Sequence, residues 1–173
     1  GFAGGVNIGI NYAINHNYGN TGSEISGNTI TGLTGASTVA GINIGSTGSN
    51  SMIAFNNVIS NLTTTGASTV SGILHAAGSN SSIYNNKIYN LNANNAGATA
   101  IGINITGGTT ITTYNNIVGE IKSTLGSGAN VVQGIGITGG TTNNVYFNSV
   151  YLSGTTSGAN FGSSAISVNA TPT

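Results

Sequence analysis

The sequence predicts an all-β, single-domain solenoid of about six stacked coils, each of ~30 residues contributing three short strands to parallel sheets. Three observations predict it. An Asn two residues ahead of a β-branched aliphatic recurs in SGNTI (26–30), FNNVI (55–59), YNNKI (84–88), YNNIV (114–118) and YFNSV (146–150). The anchoring residues Asn28, Asn57, Asn86, Asn116 and Asn148 are therefore 29, 29, 30 and 32 positions apart. A second column, AGINI (40–44), SGILH (71–75), IGINI (101–105), QGIGI (133–137) and SAISV (164–168), recurs in steps of 31, 30, 32 and 31. Finally, 29 Gly, 27 Asn, 24 Thr and 20 Ser supply 100 of the 173 residues, a bias shared by disordered tracts and by coils with tight corners. The fixed period selects the coil.

The elements follow from the columns in chain order. Residues 1–20 match the repeat only through GVNI (5–8) and read as an irregular first coil; the repeats then run over 21–51, 52–81, 82–110, 111–142 and 143–173. Alternation such as Ile42/Ile44, Ile103/Ile105 and Ile135/Ile137 has the period of a strand with one buried face. Dense Gly and Asn, with no ten-residue stretch of helical period, exclude helix. Three inward columns are expected: Ile30, Ile59, Ile88, Val118 and Val150; Leu33, Leu62, Leu91 and Ile121; and Ile42, Ile73, Ile103, Ile135 and Ile166. Loops of variable length (34–38, 63–69, 92–99, 122–131 and 153–162) should link the third strand to the next Gly-Ile strand. No repeat of this size buries its own apolar face, so the coils must stack.

Stacking explains the composition. Equivalent positions lie about 4.8 Å apart, where like charges repel by roughly 3.5 kcal/mol at an effective dielectric of 20. Two Lys, two Glu and no Arg or Asp are what such columns tolerate. An amide side chain instead donates to one neighbour and accepts from the other, so Asn28, Asn57, Asn86, Asn116 and Asn148 are expected to form an internal ladder.

The order Gly-Ile-x-Ile, Ser/Asn turn, Ile-x-Asn-Asn-x-Ile, seen in GINITGGTTITTYNNIV (102–118), resembles the right-handed parallel β-helix family with pectate-lyase-like repeats. The YNN and GGTT elements are also similar to non-enzymatic secreted repeat proteins of bacterial surfaces. The resemblance spans residues 21–173 and implies a parallel β-helix at a cell surface or outside the cell.

Enzymes of that family use carboxylates, and lyases among them a calcium held by several Asp or Glu with an Arg or Lys base. Here only Glu24 and Glu120 are present, expected at least ~14 Å apart along the stack, beyond the roughly 5 to 9.5 Å of paired glycosidase carboxylates. Glu120 and Lys122 are expected to form a same-face ion pair. His16 and His75 lack the partners a zinc site needs, and no Ser has a His and a carboxylate in register. TGGTT (106–110 and 138–142) opens no helix and carries no Lys, so it reads as a turn and not a phosphate cradle. No catalytic residue, metal or cofactor is assigned. Zero net charge gives no electrostatic drive toward nucleic acid, and no apolar run is long enough for membrane insertion.

What is left is an aromatic column, Phe55, Tyr84, Tyr114 and Tyr146, two residues before each ladder Asn, with Tyr89 and Tyr151 three residues after. It reads either as a self-stacking rib or as a contact face for sugar rings. The leading expectation is a secreted or surface-exposed structural protein, a fibre subunit or adhesin stalk whose partner is a second copy stacked head to tail. The alternative is a module binding neutral polysaccharide, or ice through Thr-Ile-Thr elements at 29–31 and 110–112.

Overall fold

A computed structural model describes residues 7–8, 11–17, 21–45, 51–154 and 156–169. Strands β1 (Asn7–Ile8) and β2 (Tyr12–His16) form part of a first coil. Five complete coils follow. They comprise β3 (Ser23–Ser26), β4 (Thr29–Thr31), β5 (Leu33–Gly35) and β6 (Val39–Ile44); β7 (Met52–Phe55), β8 (Val58–Thr64) and β9 (Thr69–His75); β10 (Asn80–Tyr84), β11 (Lys87–Ala93) and β12 (Thr99–Ile105); β13 (Thr110–Tyr114), β14 (Ile117–Ser123) and β15 (Gly128–Ile137); and β16 (Thr142–Tyr146), β17 (Ser149–Tyr151) and β18 (Phe161–Val168). The chain is a single-domain parallel β-solenoid; among the described residues no helix is long and apolar enough to cross a membrane.

Three parallel sheets run the length of the stack. The first orders β3-β7-β10-β13-β16; the second β1-β5-β8-β11-β14-β17, with β4 also on β8; the third β2-β6-β9-β12-β15-β18. Register follows the sequence columns: Ile88 faces Ile59 and Val118 across the second sheet, and Ile103 faces Ile73 and Ile135 across the third. Ile59, Ile88, Val118, Leu62, Leu91 and Ile121 are all fully buried.

In the second sheet the inward residues are three apart, which simple alternation does not permit. Asn61, Asn90 and Glu120, at φ of 57°, 54° and 54°, are left-handed, as is Gly32 at 77°. One such residue between the outward and the next inward position turns the following side chain back into the core. A second left-handed column, Gly27, Asn56, Asn85, Asn115 and Phe147, makes the corner between the first and second sheets. Asn holds two of the four named positions in the first column and three of the five in the second, because its short polar side chain tolerates this conformation. Glu120 in the bend also explains why the expected ion pair with Lys122 is missing among the described residues: strand alternation is broken between them.

The loops are shorter than the sequence suggests. Second-sheet strands continue through Gly35, Thr64, Ala93 and Ser123, leaving 36–38, 65–68, 94–98 and 124–127 as linkers. These four inward residues are buried but small or polar, so they do not register as apolar positions. The first sheet holds another pattern that hydropathy conceals. Its two inward columns alternate in size with opposite phase: Met52 with Ala54, Ser81 with Ile83, Ile111 with Thr113. Each coil thus places one large and one small side chain, and the next coil reverses them. The hydroxyls of Ser81 and Thr113 have no hydrogen-bond partner, so these residues sit there for their size.

The Gly column of the third sheet is dictated by close approach. A Cβ on Gly72, Gly102 or Gly134 would lie 2.4, 2.3 or 2.3 Å from Ile88, Val118 or Val150 of the next coil. It would also lie 2.7, 2.5 or 2.6 Å from a carbonyl oxygen of the next strand. The Gly-Ile signature is therefore a packing requirement: the glycine clears the volume that the neighbouring β-branched column fills.

Candidate functional site

The Asn ladder occupies the corner between the first and second sheets. Asn57 Nδ2 donates to Asn86 Oδ1 at 2.9 Å, Asn86 to Asn116 at 3.0 Å, Asn116 to Asn148 at 2.9 Å, and Asn28 to Asn57 at 2.9 Å. Each acceptor oxygen also takes the backbone N–H of the preceding ladder residue, at 3.0 to 3.1 Å. The second amide proton goes to a carbonyl of the first sheet, from Asn86 to Ala54 and Tyr84 and from Asn116 to Ile83 and Tyr114. With Asn57, Asn86 and Asn116 at most 1% exposed, every polar atom of the side chain is consumed internally. The column is structural and offers nothing to a ligand.

His75 is fully buried, flanked by Ile44 and Ile105 in the third sheet. Its Nδ1–H donates to the Gly107 carbonyl at 2.9 Å, while Nε2 has no partner. Burial pushes the imidazole below its ordinary value of 6.5, against the smaller upward effect of the hydrogen bonds. His16 lies in the same column with Ile44 between. No cluster of three His, Cys, Asp or Glu occurs among the described residues. Glu24 stands on β3 and Glu120 on β14, on different sheets and three coils apart.

The six aromatic candidates divide between two sheets. Phe55, Tyr84, Tyr114 and Tyr146 stack outside the first sheet, with centroid separations of 5.1, 4.8 and 5.3 Å and interplanar angles of 8°, 11° and 15°. Tyr84 and Tyr114 thus have both faces spent on neighbouring rings, and Phe55 and Tyr146 one face each. Phe147, which sequence reasoning passed over, lies edge-on to Tyr146 at 5.4 Å and is 81% exposed.

Tyr89 and Tyr151 stand on the second sheet and share one outward column, but Gly119 lies between them: Tyr89 pairs with Gly119, and Gly119 with Tyr151. A rung of side chain is thereby omitted. A Cβ at Gly119 would meet only the Tyr151 carbonyl oxygen, at 3.9 Å. The surface there is a recess of about 480 Å³, lined by Tyr89, Gly119 and Tyr151 together with Lys87, Glu120 and Ser149. The Lys87 ammonium lies 5.2 Å from the Tyr89 ring centroid. Aligning YNNKIY, YNNIVG and YFNSVY displays this Tyr-Gly-Tyr column in the sequence itself. No protein-family model, curated protein or solved structure matches the chain.

Proposed function

We propose that this chain is a structural β-solenoid segment, extracellular or displayed on a cell surface, whose end is covered by another coil of the same kind. One observation carries the reading. Ile135 and Ile103 are fully buried, yet Ile166, next in that column, is 49% exposed, and Val168, next in the column of Ile137, is 67% exposed. Among the described residues the last coil thus presents an apolar cross-section and a strand edge without a partner on its far side, which repeat proteins normally cover. Zero net charge offers no repulsion against such contact. Because one end meets the other, the contact is heterologous and extends without closing. The spent amide ladder and self-stacked aromatic rib support a load-bearing role over a catalytic one. Similarity of the YNN and GGTT elements to secreted bacterial surface repeats supports the location.

Ala165 adds a condition on the covering coil. It stands where the preceding coils have Gly41, Gly72, Gly102 and Gly134, whose missing Cβ makes room for the next coil. The next coil must therefore shift away at this point or bring a residue smaller than Ile or Val.

Sedimentation velocity across a concentration series tests the proposal. The chain should form species growing with concentration, and Ile166→Lys, placing a charge on the exposed end, should leave a folded monomer. A monomer at every concentration, or assembly indifferent to Ile166→Lys, contradicts it.

A further inference from the structure

We infer that the recess over Gly119 is a binding slot for one pyranose ring of a neutral oligosaccharide, inserted edge-first between Tyr89 and Tyr151. The column is one with its middle side chain removed, Tyr89 and Tyr151 standing on either side of Gly119. Two rungs separate the tyrosines, about 9.6 Å at the spacing of parallel strands, so a guest ring midway lies about 4.8 Å from each. That matches the 4.8 to 5.3 Å at which the neighbouring Tyr rings already stack. The Gly119 backbone is its floor, where a Cβ would meet, beyond its own chain neighbours, only the Tyr151 carbonyl oxygen at 3.9 Å, and the exposed Ile117 lines its side.

The rim selects the class of ring. Lys87 and Glu120 are two of only four charged residues in the whole chain, and both line this recess with the Ser149 hydroxyl. One cation, one anion and one hydroxyl supply donors and acceptors while summing to zero charge. A pyranose offers C–H surfaces to both tyrosine faces and hydroxyls around its edge to those groups. An unsubstituted aromatic ring would fill the gap but leave the rim groups without partners. The slot lies on the second sheet, away from the stacked rib of the first, and is independent of end-to-end assembly.

Gly119→Tyr provides the test, since it would complete the column with a native-like ring without disturbing the backbone. Cellohexaose, maltohexaose and mannohexaose are titrated into wild-type chain and variant by calorimetry, with saturation-transfer NMR reporting sugar C–H protons near tyrosine rings. At least one oligosaccharide should bind the wild type and transfer saturation from tyrosine. Gly119→Tyr should weaken binding by about tenfold or more while holding or raising the melting temperature. Tyr151→Ser should weaken it comparably, leaving the fold intact at this exposed position. Absence of binding by all three sugars overturns the inference, as does binding unchanged in both variants, or phenol binding where the sugars do not.

Discussion

At the scale of single residues, the same chemical change has different consequences according to what the next coil places there. Gly134→Ala would drive a Cβ to 2.3 Å from Val150 and 2.6 Å from the Ala165 carbonyl oxygen, in a core that cannot yield. A loss of about 3 kcal/mol is expected by denaturant titration. Ala165 carries that very methyl group on a coil with no described neighbour beyond it. Phe147 is the converse case. It holds the left-handed corner that Asn56, Asn85 and Asn115 hold in the other coils, with φ of 56°, yet it lacks their short polar side chain. Phe147→Asn should raise stability by about 1 kcal/mol, less whatever the edge contact with Tyr146 contributes. A melting temperature that falls would show that this contact outweighs the backbone strain.

At the scale of an element, a column behaves as a unit and one foreign member sets its pH response. His75 sits among Ile44, Ile105 and Ile137, with its Nε2 unpaired and its folded-state pKa below 6.5. Between that lowered value and 6.5 the unfolded chain binds the additional proton. Stability therefore declines as pH falls through 6.5 and levels off once the folded imidazole is also protonated. His75→Ile should raise stability at acid pH and remove this part of the slope, measured as melting temperature between pH 7.5 and 4.5. A wild-type slope that persists in the variant would assign the response to other groups.

Columns were also the level at which the sequence could be read. The Asn spacing located the ladder and the sheet register, since hydrogen bonding between coils fixes the repeat length. Hydropathy could not reveal Ser81, Thr64 or Ser123 as core, because these are chosen for volume, whereas alternation with the aromatic column already turns Thr113 inward. Nor could it reveal that Asn61, Asn90 and Glu120 bend the strand, since backbone conformation is not written in polarity. The Tyr-Gly-Tyr gap was present in the aligned motifs, but an absent side chain becomes a feature only when its neighbours are stacked in space.

At the scale of the molecule, charge depletion, amide ladder and aromatic rib all follow from parallel stacking, and what stacking leaves unsatisfied is the end. Interior coils bury the third-sheet column Ile42, Ile73, Ile103 and Ile135 completely, whereas the last described coil leaves Ile166 half exposed and Val168 two-thirds exposed. We propose that such a surface directs association along the axis. Electron microscopy of the purified chain tests this most directly. The account predicts unbranched filaments one coil in width with an axial repeat of about 4.8 Å, shortened or absent in Ile166→Lys. Dispersed single rods at all concentrations, or lateral sheets joined through the tyrosine faces, would contradict it.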